Sequence, residues 1–260
     1  MNLGNANVVL RPRGTLESLD LTLLFLTRLG GRPYGLLSAL VLLPAVGVCL
    51  GLQLWFALEW ANVWLIALPL GLWLQGVFTL AAGDLMFSDV LEPRSVLRRF
   101  RARLAVYSLA LLGSRLLMAL AAFTLLLWPW AWLRYTFIPE ALLLEGLSVP
   151  GATGRAARLQ VGMPVERLGL CFTMLGGLAL ALLGAQVLGH GIVHDTLQLQ
   201  LPWGDLLQDG GSAYAVVGWF AALPVLTTLR FLRYIDARTR ADAWDVQVRL
   251  QRAAQAPEAA

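Results

Sequence analysis

Long apolar runs alternate with short polar or arginine-rich segments along most of the chain. A helix of ~20 apolar residues is long enough to cross a bilayer. Six runs approach or exceed that length, and we place them at 34–56, 63–87, 104–127, 131–147, 168–189 and 214–232. The pattern therefore predicts an all-α polytopic membrane protein, a helix bundle with six transmembrane helices.

A shorter segment with helical periodicity precedes the first run. Its leucines recur every three or four positions, at Leu16, Leu19, Leu23 and Leu26. Glu17 and Asp20 make it too polar to span, so we predict an interfacial helix that ends before Pro33. The expected organisation is an N-terminal segment (1–33), a six-span membrane domain (34–232) and a cytoplasmic amphipathic helix with a tail (233–260).

The number of spans depends on the sequence Trp128-Pro129-Trp130. A turn at Pro129 places the arginine-rich segments after the second, fourth and sixth spans on one side, which the positive-inside rule makes the cytoplasm. Tryptophans, which favour membrane interfaces, collect at the opposite turns: Trp55, Trp60, Trp64, Trp128, Trp130, Trp132 and Trp203. We expect a multi-pass protein of the bacterial inner membrane with both termini in the cytoplasm.

Composition supports a membrane protein and argues against several other classes. The chain is 58% hydrophobic and 14% charged, whereas soluble domains average about 25% charged residues. Its net charge of +4 comes from arginines that flank the apolar runs, so we expect anionic lipids rather than nucleic acid as the partner. Cys49 and Cys171 lie within apolar runs, which favours a packing role over a disulfide or a metal site.

A charged side chain interrupts the third run near its middle. Arg115 would lie close to the bilayer midplane, where an arginine is costly and needs a partner. The fourth run, antiparallel to the third, brings Glu140 and Glu145 to similar depths. We therefore predict a buried polar cluster in which Arg115 contacts one of these glutamates. Such a pair either fixes helix packing or serves a substrate-, lipid- or proton-linked role.

Two features of the fifth run allow a functional and a simpler structural interpretation. His190 and His194 lie one turn apart beside Asp195, which makes them weak metal-ligand candidates or the plain end of a helix. Small residues recur every four positions and would allow close helix approach, either within the bundle or with a partner. They are Gly177, Ala181, Ala185 and Gly189.

The chain beyond the sixth run carries charges that we expect on a cytoplasmic surface. The residues are Arg233, Asp236, Arg238, Arg240, Trp244 and Asp245. On an amphipathic helix they would meet headgroups or an acidic partner. The simpler alternative is a charged flank that stops transfer across the membrane.

Two stretches resemble a bacterial six-helix membrane family related to the membrane domain of certain glycerophosphodiester phosphodiesterases. The run 138–146, followed by 155–162, is similar to that family's helix break and connector. The run 233–240, with Trp244 and Asp245 behind it, is similar to the family's exit from the last span. The resemblance implies a non-catalytic membrane module. We expect no phosphodiesterase barrel and so no such activity, and Ala157 stands where relatives often have a small hydroxyl residue.

Signatures of catalysis are missing from the sequence. It contains no G-x-S-x-G nucleophile turn, no phosphate-binding glycine loop and no H-E-x-x-H zinc motif. We therefore expect neither an enzyme nor a cofactor. The first hypothesis is a subunit that scaffolds or anchors an envelope complex with other membrane or cytoplasmic subunits. Two alternatives stay open: a transporter or lipid-handling protein built on Arg115, Glu140 and Glu145, and an intramembrane enzyme.

Overall fold

A computed structural model describes residues 13–88, 90–124, 127–159, 164–199 and 203–242, and this part of the chain is helical without strands. The helices are α1 (Thr15–Leu24), α2 (Gly31–Phe56), α3 (Trp60–Phe87), α4 (Pro93–Ala122), α5 (Leu127–Tyr135), α6 (Ile138–Leu144), α7 (Val149–Arg158), α8 (Pro164–His190) and α9 (Ala213–Asp242). Two π-helical stretches, Phe25–Gly30 and Gly191–Thr196, follow α1 and α8.

Five helical segments among the described residues are long and apolar enough to cross a membrane. They are Thr15–Phe56, Trp60–Phe87, Pro93–Ala122, Val165–Thr196 and Ala213–Asp242. Helix α4 shows why they suit a bilayer: its large apolar side chains at Leu109, Leu112 and Leu116 are more than half exposed. Such a leucine stripe is costly in water and favourable against acyl chains. The helices are compatible with a membrane-embedded protein.

The expected fourth span is not a long helix in the structure. Two short helices, α5 and α6, occupy this part of the chain, and the break between them falls at Thr136 and Phe137. Pro139 accounts for the break, because its ring would clash with the carbonyl four residues earlier if α5 continued. The described residues thus contain five candidate spans rather than six.

Three helix limits also differ from the expected ones. The basic segment before the third run is helical, because α4 begins at Pro93 instead of near Leu104. Helix α9 continues through the expected end of the sixth span at Leu232 and reaches Asp242. Near the N-terminus, α2 begins at Gly31 instead of at residue 34, so the helix that we expected to end before Pro33 continues through the π-helical stretch into α2. Gly31, with a φ of 41°, marks the junction.

The chain divides into two compact units. Unit 1 comprises 1–34, 76–171 and 227–260, and unit 2 comprises 35–75 and 172–226. In unit 1, α4 packs against α5, α6 and α7. Its buried face includes Tyr107, which contacts Phe100 with ring centroids 5.6 Å apart. Tyr34 makes a buried hydrogen bond of 2.8 Å with the hydroxyl of Thr228.

Unit 2 is packed around glycines that face aromatic rings. The indole of Trp219 lies directly over Gly71, and its N–H donates to the carbonyl of Ala67 at 2.9 Å. Gly211 faces Trp64 in the same way. A Cβ atom at any such glycine would overlap the ring, so these positions depend on the absence of a side chain.

Candidate functional site in unit 1

A buried ion pair joins α9 to α6. Arg230 Nε donates to Glu140 Oε1 at 2.6 Å, and the two side chains are 3% and 0% exposed. Glu140 lies in the first turn of α6, directly after Pro139, where the helix dipole favours a negative charge. A pair that is so fully buried fixes the relative position of its two helices, because either charge alone would be strongly unfavourable there.

Arg115 does not form the predicted pair with Glu140 or Glu145. Its Nη1 lies 3.3 Å from the sulfur of Met118, and its buried Nε has no hydrogen-bond partner in the described part of the chain. It still interacts electrostatically with Glu140 and Arg230. The prediction failed because it assumed a straight fourth span, whereas Glu140 lies on the short helix α6 and pairs with Arg230 of α9.

Glu145 is the centre of a second ion-pair cluster. Its Oε2 lies 3.1 Å from Arg155 Nε, and its Oε1 accepts a hydrogen bond from the hydroxyl of Tyr234. Arg155 also donates to both carboxylate oxygens of Asp242. That second partner is the main cause that raises the pKa of Arg155 above its ordinary value. The cluster connects α7 to the last turn of α9.

A third cluster connects α9 to the first described residue. The backbone N–H of Arg13 donates to Asp236 Oδ1 at 2.8 Å, and its carbonyl accepts from Arg233 at 2.8 Å and from Arg240 at 2.9 Å. Glu166, at the start of α8, lies 3.4 Å from Arg240. Three side chains of α9 therefore hold the backbone that leads into α1.

Four of the charged residues that we expected on a cytoplasmic surface form contacts within unit 1 instead. Arg233 and Asp236 are only 5% exposed, and Arg238 and Arg240 form ion pairs with acids of the same chain. Much of their hydrogen-bonding capacity is used within unit 1. Trp244 and Asp245, together with the rest of the tail, lie outside the described residues.

A cavity of about 560 Å³ opens elsewhere in unit 1, between the end of α3, the first turns of α4 and the end of α6. Its volume falls within the range of about 300–1,000 Å³ that is usual for ligand pockets. The charged lining groups among the described residues are Asp84, Arg99 and Arg103. The apolar lining comes from Leu80, Phe87, Ala102, Leu143 and Leu144. We refer to it as the basic cavity.

The two arginines of the basic cavity have different partners. Arg99 forms an ion pair with Asp84. Arg103 donates to the carbonyl of Leu142 at 2.8 Å and forms no ion pair among the described residues. Gly146 accommodates Arg103, since a Cβ there would come within 2.7 Å of Nη2, and its φ of 72° also favours glycine. The lining therefore carries one arginine charge beyond the Asp84–Arg99 pair.

Three further arginines lie on the same turns of α4 but outside the basic cavity. Arg94, Arg98 and Arg101 are exposed and make no ion pair in the part of the chain that the structure describes. The leucine stripe of α4 begins one to two turns later. Helix α4 thus changes from arginine-rich to apolar beside the basic cavity, as a helix does at the headgroup level of a membrane.

The remaining sequence candidates lie in unit 2. The rings of His190 and His194 stack with centroids 4.3 Å apart. No group of three or more His, Cys, Asp or Glu side chains that could hold a metal, with or without Asp195, occurs among the described residues. The stripe of small residues on α8 packs against the first half of α9: Gly177 beside Leu226, Ala181 and Ala185 beside Gly218, and Gly189 beside Tyr214.

Sequence reasoning missed the basic cavity and the role of Arg230. One sequence feature could have indicated it. Asp84 and Arg99 lie fifteen residues apart, near the facing ends of two consecutive predicted helices, where they can form an ion pair. Arg230 was overlooked because it lies at the end of the sixth run, next to the arginines that we expected on a cytoplasmic surface. Thr227, Thr228 and Tyr234 around it have the polar side chains expected of a buried polar face.

Comparison with family models, curated proteins and solved structures finds no match to the chain. The resemblance to the six-helix membrane family therefore stays a prediction.

Proposed function

We propose that this chain is a non-catalytic, lipid-handling membrane protein that binds the phosphate headgroup of a phospholipid in the basic cavity. The observation that carries the proposal is the composition of that cavity. Arg99 and Arg103 stand beside leucine and phenylalanine side chains at the point where α4 changes from basic to apolar. Guanidinium groups recognise phosphate with charge-assisted hydrogen bonds. Apolar walls suit the adjoining acyl chain.

The scaffold hypothesis has less support. It depended on arginine-rich elements that dock other subunits, and the arginines of α7 and the end of α9 are largely engaged with acids of the same chain. The Arg115 cluster also suits a role in packing, because Arg230 and Glu140 are fully buried partners. The basic cavity supplies what neither offers, an accessible volume with an arginine charge that no acid of the described chain neutralises.

The test compares loss of charge inside and outside the basic cavity. Purified full-length protein in neutral detergent is titrated with dioctanoyl phosphatidylglycerol. We expect the double variant Arg99→Gln/Arg103→Gln to weaken phosphatidylglycerol binding at least about tenfold, because two charge-assisted contacts are removed. The matched control Arg98→Gln/Arg101→Gln removes the same charge from the same helix and should change affinity less than about twofold.

Two results would contradict the proposal. Equal weakening by the cavity and control variants would mean that the arginines of α4 attract phosphate only through their summed charge. Unchanged binding in the cavity variant would mean that the headgroup binds elsewhere. Thermal unfolding of each variant verifies that the loss of the Arg103 hydrogen bond to Leu142 has not unfolded the protein.

A further inference from the structure

The charge balance of the basic cavity bears on which headgroups it accepts. Among the residues that the structure describes, three titratable side chains line it: Asp84, Arg99 and Arg103. Asp84 and Arg99 compensate each other as an ion pair, and the hydrogen bond that Arg103 makes goes to a neutral carbonyl. The described part of the lining therefore carries one net positive charge, which a single negative charge neutralises.

Phospholipid headgroups differ in the charge on the phosphate. A phosphodiester carries one negative charge, whereas a phosphomonoester carries nearly two above its second pKa of about 6. Arg99 and Arg103 are exposed, so the site favours one charge over two mainly because a second negative charge on the ligand meets the Asp84 carboxylate beside Arg99. The cavity matches the phosphodiester.

We propose that Asp84 is a specificity-determining residue that makes the basic cavity select phosphodiester headgroups over phosphomonoester headgroups. This inference rests on the proposed function. The geometry explains how Asp84 acts: a phosphate bound to Arg99 lies within the width of one guanidinium group from the Asp84 carboxylate. The second negative charge of a monoester meets that carboxylate directly, and like charges at such a distance repel.

Asp84 is held in place for this role. Its backbone carbonyl accepts a hydrogen bond of 2.9 Å from the hydroxyl of Ser88, which also donates to the carbonyl of Val90. These bonds stabilise the end of α3, where Asp84 lies one turn before the last residue. The side chain of Asp84 is 22% exposed. It is therefore close enough to the opening to meet a headgroup and buried enough for its charge to be incompletely screened.

The test measures a ratio of two affinities. Full-length protein in neutral detergent at pH 8 is titrated with dioctanoyl phosphatidylglycerol, a phosphodiester, and dioctanoyl phosphatidic acid, a phosphomonoester. Replacement of Asp84 by Asn removes one negative charge, so both ligands should bind more tightly and phosphatidic acid should gain more. We expect the affinity ratio to shift at least about fivefold toward phosphatidic acid.

A matched control separates a local effect from a general one. Glu92 is an exposed acid just before α4 that does not line the basic cavity. Glu92→Gln removes the same charge and should leave the ratio within about twofold of the wild type. The inference is overturned if Asp84→Asn leaves the ratio unchanged or shifts it no more than Glu92→Gln does. It is also overturned if Asp84→Asn weakens both ligands equally, since Asp84 would then only position Arg99.

Failure of this inference differs visibly from failure of the proposed function. If Arg99→Gln/Arg103→Gln weakens phosphatidylglycerol binding but Asp84→Asn does not alter the ratio, the cavity binds headgroups without discriminating their charge. If Arg99→Gln/Arg103→Gln has no effect on binding, the proposed function fails and Asp84 has no ligand to select.

Discussion

The two units of this chain are stabilised by different chemistry. The chain has 20 arginines and no lysine, and all 20 arginines fall within the ranges of unit 1. Unit 1 depends on buried and half-buried ion pairs around α9. Unit 2 depends on close approach of small residues and aromatic rings, as at Gly71 and Trp219. Helices α3 and α9 contribute residues to both units, so each of them uses both kinds of contact along its length.

Ion pairs and small-residue packing specify different features of a fold. Ion pairs between distant segments specify which segments meet, because a buried charge accepts few partners. Small-residue packing specifies how closely helices approach and requires no charge, which suits a segment surrounded by lipid. A substitution should therefore be costly for a different reason in each unit.

The largest effect is expected at the buried pair of unit 1. Glu140→Leu removes the carboxylate that pairs with Arg230 and should lower the free energy of unfolding by about 3–5 kcal/mol, because a buried charge loses its partner. Thermal or denaturant unfolding in detergent measures the change. The double variant Glu140→Leu/Arg230→Met should recover much of the loss. A single variant as stable as the wild type would show that the pair is not needed to hold α6 against α9.

A smaller loss is expected at a glycine of unit 2. Gly218→Ala places a Cβ 2.5 Å from the carbonyl of Ala181, so the helices must separate, at a cost of about 1–3 kcal/mol. Gly184→Ala is the matched control, since a Cβ there has nothing within 4 Å. The control should be neutral or slightly stabilising. Equal losses of stability at the two glycines would show that the close helix packing at Gly218 does not stabilise unit 2.

The smallest effect is expected at the half-buried cluster of unit 1. Arg155→Gln loses its ion pairs with Glu145 and Asp242, and solvent screening limits the cost to about 1 kcal/mol. The difference from the wild type should shrink in high salt, because salt screens partly exposed charges. Arg94→Gln, at an exposed arginine with no ion pair to any described residue, should not change stability measurably. A large loss that is insensitive to salt would place Arg155 with the buried pairs.

Hydropathy predicted the helical membrane character of the chain and placed α3 and α8 within a few residues of their observed limits. These features follow from local composition, which a single sequence displays directly. The expected fourth span differed because apolar length outweighed Pro139 in the prediction, whereas in the structure the proline breaks the segment into α5 and α6.

The sites were harder to predict because they are assembled from distant segments. Glu140 and Arg230 lie 90 residues apart, and no periodicity links positions so far apart. The sequence indicated that Arg115 and Glu140 needed partners, but a count of depth along idealised helices selected the wrong one. The basic cavity was missed because it needs α3, α4 and α6 at once, and each of these helices contributes only two to four of its lining residues.

The contacts of Arg13 have a consequence for the order in which the chain acquires its structure. The residues that hold its backbone, Asp236, Arg233 and Arg240, lie between 220 and 227 positions later. At a synthesis rate of roughly 5–20 residues per second, the ribosome needs about 10–45 seconds to make the intervening chain. During that time the segment that leads into α1 lacks these partners. A chain that stops before the last turns of α9 would leave Arg13 without these three contacts, so the segment that leads into α1 depends on α9 being made.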